Sequence, residues 1–275
     1  GAGHGQGIGT AVGAEEGKID QILNDTVYLL GDSITQGLGS RKVNFAGELG
    51  RLLGDCYEVV NLAFTGTTVD YALKLLDEGK IVTGGASRVV CVILYGNVDA
   101  QIRPSRRGEV FTLIPKRYQG SGMLMPRPFY SRSLLKRLGQ RADNLQRRIW
   151  SNLIRAVDGT EQWVGVEDFS RMYGELLGRL SAMGVGAVAC SCVFIDERLF
   201  PGCPGQYEIY DERIRQMAAD WGLPYVDLYS LFKEGVAARG WDALYNKDHF
   251  HPNGGGYEVM ASAIADAVKC IEKGA

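Results

Sequence analysis

Residues 88–95 (Arg-Val-Val-Cys-Val-Ile-Leu-Tyr) form an unbroken apolar run of strand length. A strand is apolar on both faces only when both faces are covered, the situation of a central strand in a parallel sheet sandwiched by helices. The rest of the chain follows that lead. Residues 27–30, 57–64, 186–194 and 224–228 read as further strands. Between and after them, residues 43–53, 69–76, 166–183, 207–221 and 253–273 carry apolar side chains at helical spacing, with Asn253 placed to cap the last helix. Five strands separated by helices predict a parallel sheet with helices on both faces. In such sheets chemistry collects at the C-terminal ends of the strands.

With 275 residues, 45% of them hydrophobic and 23% charged, the composition is that of a globular protein with a substantial core. No apolar run reaches the roughly 18 residues of a membrane span. Residues 1–18 are Gly-rich and read as a disordered tail or linker ahead of one catalytic domain, 19–275; no signal peptide is visible, although one can have been removed. Of the six cysteines, Cys91, Cys190 and Cys192 lie in apolar runs, and Cys190-x-Cys192 has no partner pair at zinc-ligand spacing. They are read as free core thiols, which favours a reducing, cytoplasmic location and no metal.

Histidine is scarce: His4, in the Gly-rich stretch, and His249 and His251, in Asp248-His-Phe-His-Pro-Asn253. At the other end of the chain Gly31-Asp-Ser-Ile-Thr-Gln-Gly37 follows the first strand. A serine hydroxyl is a weak nucleophile until a base removes its proton. His251 can be that base for Ser33, and Asp248 can orient the imidazole and stabilise its charged form. His249 is read as a rim residue and Asp32 as a brace of the turn. An oxyanion needs preorganised donors, which the Ser33 N–H, the Gly66 N–H and the Asn97 side chain can provide. Each of Ser33, Gly66 and Gly96-Asn97 follows a predicted strand.

Gly31-Asp-Ser33-Ile-Thr-x-Gly, Asn61-Leu-Ala-Phe-Thr-Gly66, Gly96-Asn97 and Asp248-x-x-His251-Pro-Asn resemble the four blocks of the SGNH (GDSL-type) hydrolases, in order and across nearly the whole chain. The resemblance implies a flavodoxin-like three-layer α/β/α sandwich with a five-stranded parallel sheet. It also implies ester cleavage without metal or cofactor, a Ser33–His251–Asp248 triad, and oxyanion donors at Ser33, Gly66 and Asn97. The third block departs from the usual Gly-x-Asn-Asp, because here it reads Gly96-Asn97-Val98-Asp99. Either Asn97 supplies the amide, or Val98 occupies the Asn position and one donor is lost. The first reading is preferred, since a donor at a strand's end has an obvious use.

The net charge of −2 conceals an asymmetry: residues 101–160 hold thirteen Lys/Arg against three Asp/Glu, and the remainder is acidic. This basic insertion follows the third strand and is interleaved with Tyr118, Phe129, Tyr130 and Trp150. It reads as a lid or platform for an anionic substrate, as a self-association surface of a homo-oligomer, or as a solvated face. Membrane-surface contact is a lesser alternative, and no nucleic-acid module is present. The expected function is hydrolysis of a short acyl ester, O-acetyl first, on a carbohydrate or polysaccharide. The alternatives are a lipase, a thioesterase, an O-acyltransferase, or a non-catalytic protein that binds an anionic polymer.

Overall fold

The computed structural model describes residues 23–271, so the expected tail at 1–18 lies outside the described residues. The chain runs β1 (Asp25–Gly31), α1 (Ser33–Gln36), α2 (Phe45–Leu53), β2 (Tyr57–Asn61), α3 (Asp70–Asp77) and β3 (Val89–Leu94). The basic stretch then forms β4 (Arg103–Pro104), α4 (Glu109–Leu113), a 3-10 turn at Lys116–Tyr118, α5 (Leu134–Val157) and β5 (Thr160–Glu161). The alternation resumes with α6 (Val166–Ala182), β6 (Gly186–Cys190), α7 (Cys203–Asp220), β7 (Tyr225–Val226), α8 (Leu228–Arg239) and α9 (Gly254–Cys270).

β1 and β3 are buried at every residue, the central position that the apolar runs 27–30 and 89–94 call for. They lie side by side in a five-stranded parallel sheet of order β2-β1-β3-β6-β7. Helix α2 packs on α9, while α6 packs on both α3 and α7. Right-handed crossovers put these two groups on opposite faces, giving the flavodoxin-like α/β/α sandwich. The strand order reverses between β1 and β3, which opens a crevice at their C-terminal ends. Ser33 and Asn97 stand at that crevice.

The boundaries differ from expectation where tertiary contacts decide them. β2 stops at Asn61, because Asn61 turns its side chain to the Thr35 carbonyl (3.0 Å) and the Ala63 N–H (3.1 Å) instead of continuing the pleat. β6 stops at Cys190, and the following residues leave the sheet to bond Asp211 and Asn97. α8 was not anticipated, since its apolar face, with Leu228 and Phe232 buried, is short. The basic stretch forms its own thin layer, with Ile114, Tyr118 and Ile154 as a small core separate from the main one.

Asp211 on α7 is buried, its Oδ1 accepting the Cys192 N–H at 2.7 Å and its Oδ2 unpaired among the described residues. Burial pushes its pKa up to about 8, against the lowering effect of the Cys192 bond. An unfolded carboxyl titrates near ~3.9, so between those values the folded chain holds the extra proton. Stability therefore falls as pH rises from about 4 to about 8, by up to ~1.4 kcal/mol per pH unit. Asp211→Asn keeps the acceptor and removes the titration. Thermal melts should show it level with wild type near pH 4 and progressively higher as pH rises, by several degrees at pH 8; parallel curves across that range would contradict the assignment.

Candidate active site

Helix α1 is only four residues long and is held in place from outside. Asp32 caps it, its Oδ1 accepting the Ile34 N–H at 2.9 Å, so the next residue, Ser33, begins the helix with its hydroxyl free for another partner. Tyr257 of α9 donates to the Ile34 carbonyl (2.8 Å) and accepts the Gly39 N–H (3.2 Å). Asp32 is fully buried, and burial raises its pKa to about 6, opposed by the Ile34 bond, by His251 and by the Asn97 amide. Its role is the brace expected from the sequence.

Asp248 and His251 sit in a turn closed by Asn246. The Asn246 N–H donates to the His251 carbonyl (2.9 Å), and its side-chain amide reaches the carbonyls of Gly39 (2.7 Å), His251 (3.1 Å) and Pro252 (3.2 Å). A Cβ at Gly39 would lie 1.9 Å from the Pro252 carbonyl oxygen, so only glycine permits this approach. The clasp joins the loop after α1 to the loop before α9. Across it, Ser33 Oγ lies 2.9 Å from His251 Nε2, and His251 Nδ1 lies 2.6 Å from Asp248 Oδ2. Asp248, almost wholly buried, also accepts the N–H groups of Phe250 (3.2 Å) and His251 (3.1 Å) on Oδ1. With Nδ1–H committed to that carboxylate, Nε2 is left to accept the serine proton. The arrangement can deprotonate a hydroxyl and stabilise the resulting imidazolium.

The three expected oxyanion donors are placed differently from one another. The loop carrying Gly66 is drawn over the end of β1, where the Gly31 carbonyl accepts both the Phe64 N–H (3.1 Å) and the Thr67 hydroxyl (3.2 Å). Gln36 of α1 ties the same loop through the Thr65 N–H at 2.9 Å. Gly66 is exposed with φ +72°, a left-handed conformation that favours glycine. Neither its N–H nor that of Ser33 has a partner among the described residues. Asn97, by contrast, is fully enclosed: its Oδ1 accepts the Val193 N–H (2.9 Å), and its backbone carbonyl takes the Tyr207 hydroxyl (2.6 Å). Its Nδ2 is buried, without a hydrogen-bond partner among the described residues.

Asp99 explains the unusual third block. Its carboxylate accepts the N–H groups of Gly96 (3.0 Å) and Val69 (2.9 Å), joining the turn after β3 to the start of α3. Burial raises its pKa to about 7, with those two bonds opposing. Gly96 and Asp99 are thus the two ends of one turn, and buried Val98 takes its third position.

His249 is not on the serine. Its Nδ1 lies 2.7 Å from Asp196 Oδ2, and its ring stacks on Trp241 with 4.4 Å between centroids. Its φ of +50° lets the turn send His249 and His251 to different sides. The basic layer touches this turn, where the Lys247 N–H donates to the Pro128 carbonyl (3.2 Å). Sequence reasoning missed Asn246, which carried no signal beyond its place two residues before Asp248, and gave Asp99 no role. Among the described residues, no cluster of His, Cys, Asp or Glu is arranged to hold a metal.

The profile of the GDSL-like lipase/acylhydrolase family matches residues 29–259. No curated protein sequence matches the chain. Among solved structures, Axe2, an acetylxylan esterase from Geobacillus stearothermophilus, is similar at 16% identity and a TM-score of 0.57, over 90% of this chain and 95% of that one. The acetyl xylan esterase AlAXEase is similar at 18% identity and 0.56, over 88% and 99%. A lipase/acylhydrolase from Enterococcus faecalis follows at 16% and 0.56, over 89% and 95%. At these identities the structures speak to the fold, which is shared. The family match covers most of the chain: it belongs to the GDSL-like lipase/acylhydrolase family and is a carboxylic ester hydrolase.

Proposed function

We propose that this hydrolase removes a short acyl group, acetyl first, from a carbohydrate hydroxyl through a covalent intermediate on Ser33. The observation that carries the chemistry is the hydrogen-bonded series Ser33 Oγ, His251 and Asp248. As Oγ attacks the ester carbonyl, its proton passes to His251 Nε2, and Asp248 stabilises the imidazolium. The tetrahedral oxyanion is met by the free N–H groups of Ser33 and Gly66. Collapse expels the sugar alkoxide with the proton from Nε2. A water, deprotonated by the same nitrogen, then hydrolyses the acyl-serine and restores the hydroxyl.

The substrate class is supported by the shared fold with two acetylxylan esterases. Rates on nitrophenyl esters of increasing chain length, together with acetate release from acetylated xylo-oligosaccharides, test it. Acetyl should be the best acyl group, with kcat/KM lower by roughly tenfold or more at octanoyl, and acetylated sugar should be consumed. A preference for octanoyl, or acetylated sugar left intact beside rapid nitrophenyl acetate hydrolysis, would refute the substrate assignment.

A further inference from the structure

Helix α5 presents an apolar face that the rest of the molecule does not cover. Leu134, Leu138, Leu145, Ile149, Leu153 and Val157 are between 42% and 65% exposed, on a helix of 24 residues, about 36 Å long. Rolling the helix cannot hide them, because its opposite side is fixed. There Ile154 is fully buried, Arg147 bonds Asp143 (2.9 Å) and the Met125 carbonyl (3.2 Å), and Arg155 bonds the Ile102 carbonyl (2.9 Å). An uncovered apolar face of this extent marks an interaction surface.

Charge selects the occupant. Exposed Arg141 and Arg148 follow one edge of the apolar stripe. On the other edge exposed Arg117 reaches Gln146 and lies over the Tyr118 ring (4.6 Å). The single acidic residue of the helix, Asp143, is turned inward and neutralised by Arg127 and Arg147. A second copy docked here would set arginine rows together with no carboxylate between them. At 100° per residue the stripe, from Leu134 round to Val157, also spans roughly 140°, wider than the seam two helices share. A broad apolar face edged by cations on both sides, on a helix of polar average character, is the pattern that lies in the plane of a lipid interface.

We propose that α5 is a docking helix for an anionic lipid surface. Its leucines enter the acyl boundary, and Arg117, Arg141 and Arg148 meet headgroup phosphates. The helix lies on the bilayer and does not cross it; no described helix is long and apolar enough to span. Through the Pro128–Lys247 contact, the docked layer adjoins the turn that carries Asp248 and His251.

The test is co-sedimentation with vesicles of mixed phosphatidylglycerol and phosphatidylcholine, against phosphatidylcholine alone, with sedimentation velocity run in parallel. Wild type should bind the anionic vesicles, and roughly tenfold more weakly to the neutral ones or at high salt. Arg141→Glu with Arg148→Glu, and separately Leu145→Ser with Ile149→Ser, should each weaken binding by roughly tenfold or more. Melting temperature and hydrolysis of a soluble nitrophenyl ester should stay at wild-type values, since these side chains are exposed and outside the site. A dimer dissolved by Leu145→Ser with Ile149→Ser, without vesicle binding, would overturn the proposal in favour of contact between copies. A monomer that ignores both kinds of vesicle would overturn it as well, as would equal binding to neutral and anionic vesicles.

Discussion

Ser33→Ala is expected to lower kcat/KM on any ester this protein cleaves by about 10⁴-fold or more, leaving the melting temperature within a degree or two of wild type. The two halves of that expectation come from different atoms. In the proposed mechanism catalysis depends on Oγ, which lies 2.9 Å from His251 Nε2. Folding of α1 depends on the Asp32 carboxylate as cap and on Tyr257 as tie, neither of which touches Oγ. Steady-state kinetics with a thermal melt of the same sample reads both. Turnover surviving within tenfold of wild type would remove Ser33 as the nucleophile, and a large fall in melting temperature would mean that the hydroxyl has a structural task.

Asp248→Asn is expected to cost about 10³- to 10⁴-fold in kcat. The carboxylate accepts three N–H groups, on the imidazole and on the backbone of Phe250 and His251. An amide has one acceptor oxygen. If that oxygen stays with the two backbone groups, the side-chain NH₂ faces Nδ1 and forces the proton onto Nε2, the tautomer that cannot take a proton from serine. KM should move little, because Asp248 is buried behind His251 and does not line the open site. Kinetics measured across pH would show the loss persisting at every pH where wild type is active. An effect below tenfold would demote Asp248 to a brace of the turn.

The sheet was legible because fully buried strands write themselves as unbroken apolar runs, and residues 88–95 could be little else. The candidate triad was legible because His251 had so few competitors and stood three residues from an aspartate. What stayed hidden depends on partners distant in the chain. The surroundings of Asn97 are set by Val193 and Tyr207, from other elements, which nothing near residue 97 in the chain announces. Asn246 looks like any turn residue until Gly39 is found beneath it. The exposure of the α5 leucines was not legible either, because whether an apolar helix face is covered depends on partners elsewhere in the chain.

The clasp between Asn246 and Gly39 also bears on when, during synthesis, the proposed triad can form. Serine and base are 218 positions apart, and the serine's short helix is secured by Tyr257, in the last helix of the sheet's partner layer. On the proposed triad, a nascent chain that has already built β1 to β6 would hold its nucleophile without its base and with α1 unsecured. The proposed machinery is completed only by the arrival of the C-terminal segment, so a molecule truncated or stalled before residue 251 is expected to be chemically silent, however much of its sheet has formed.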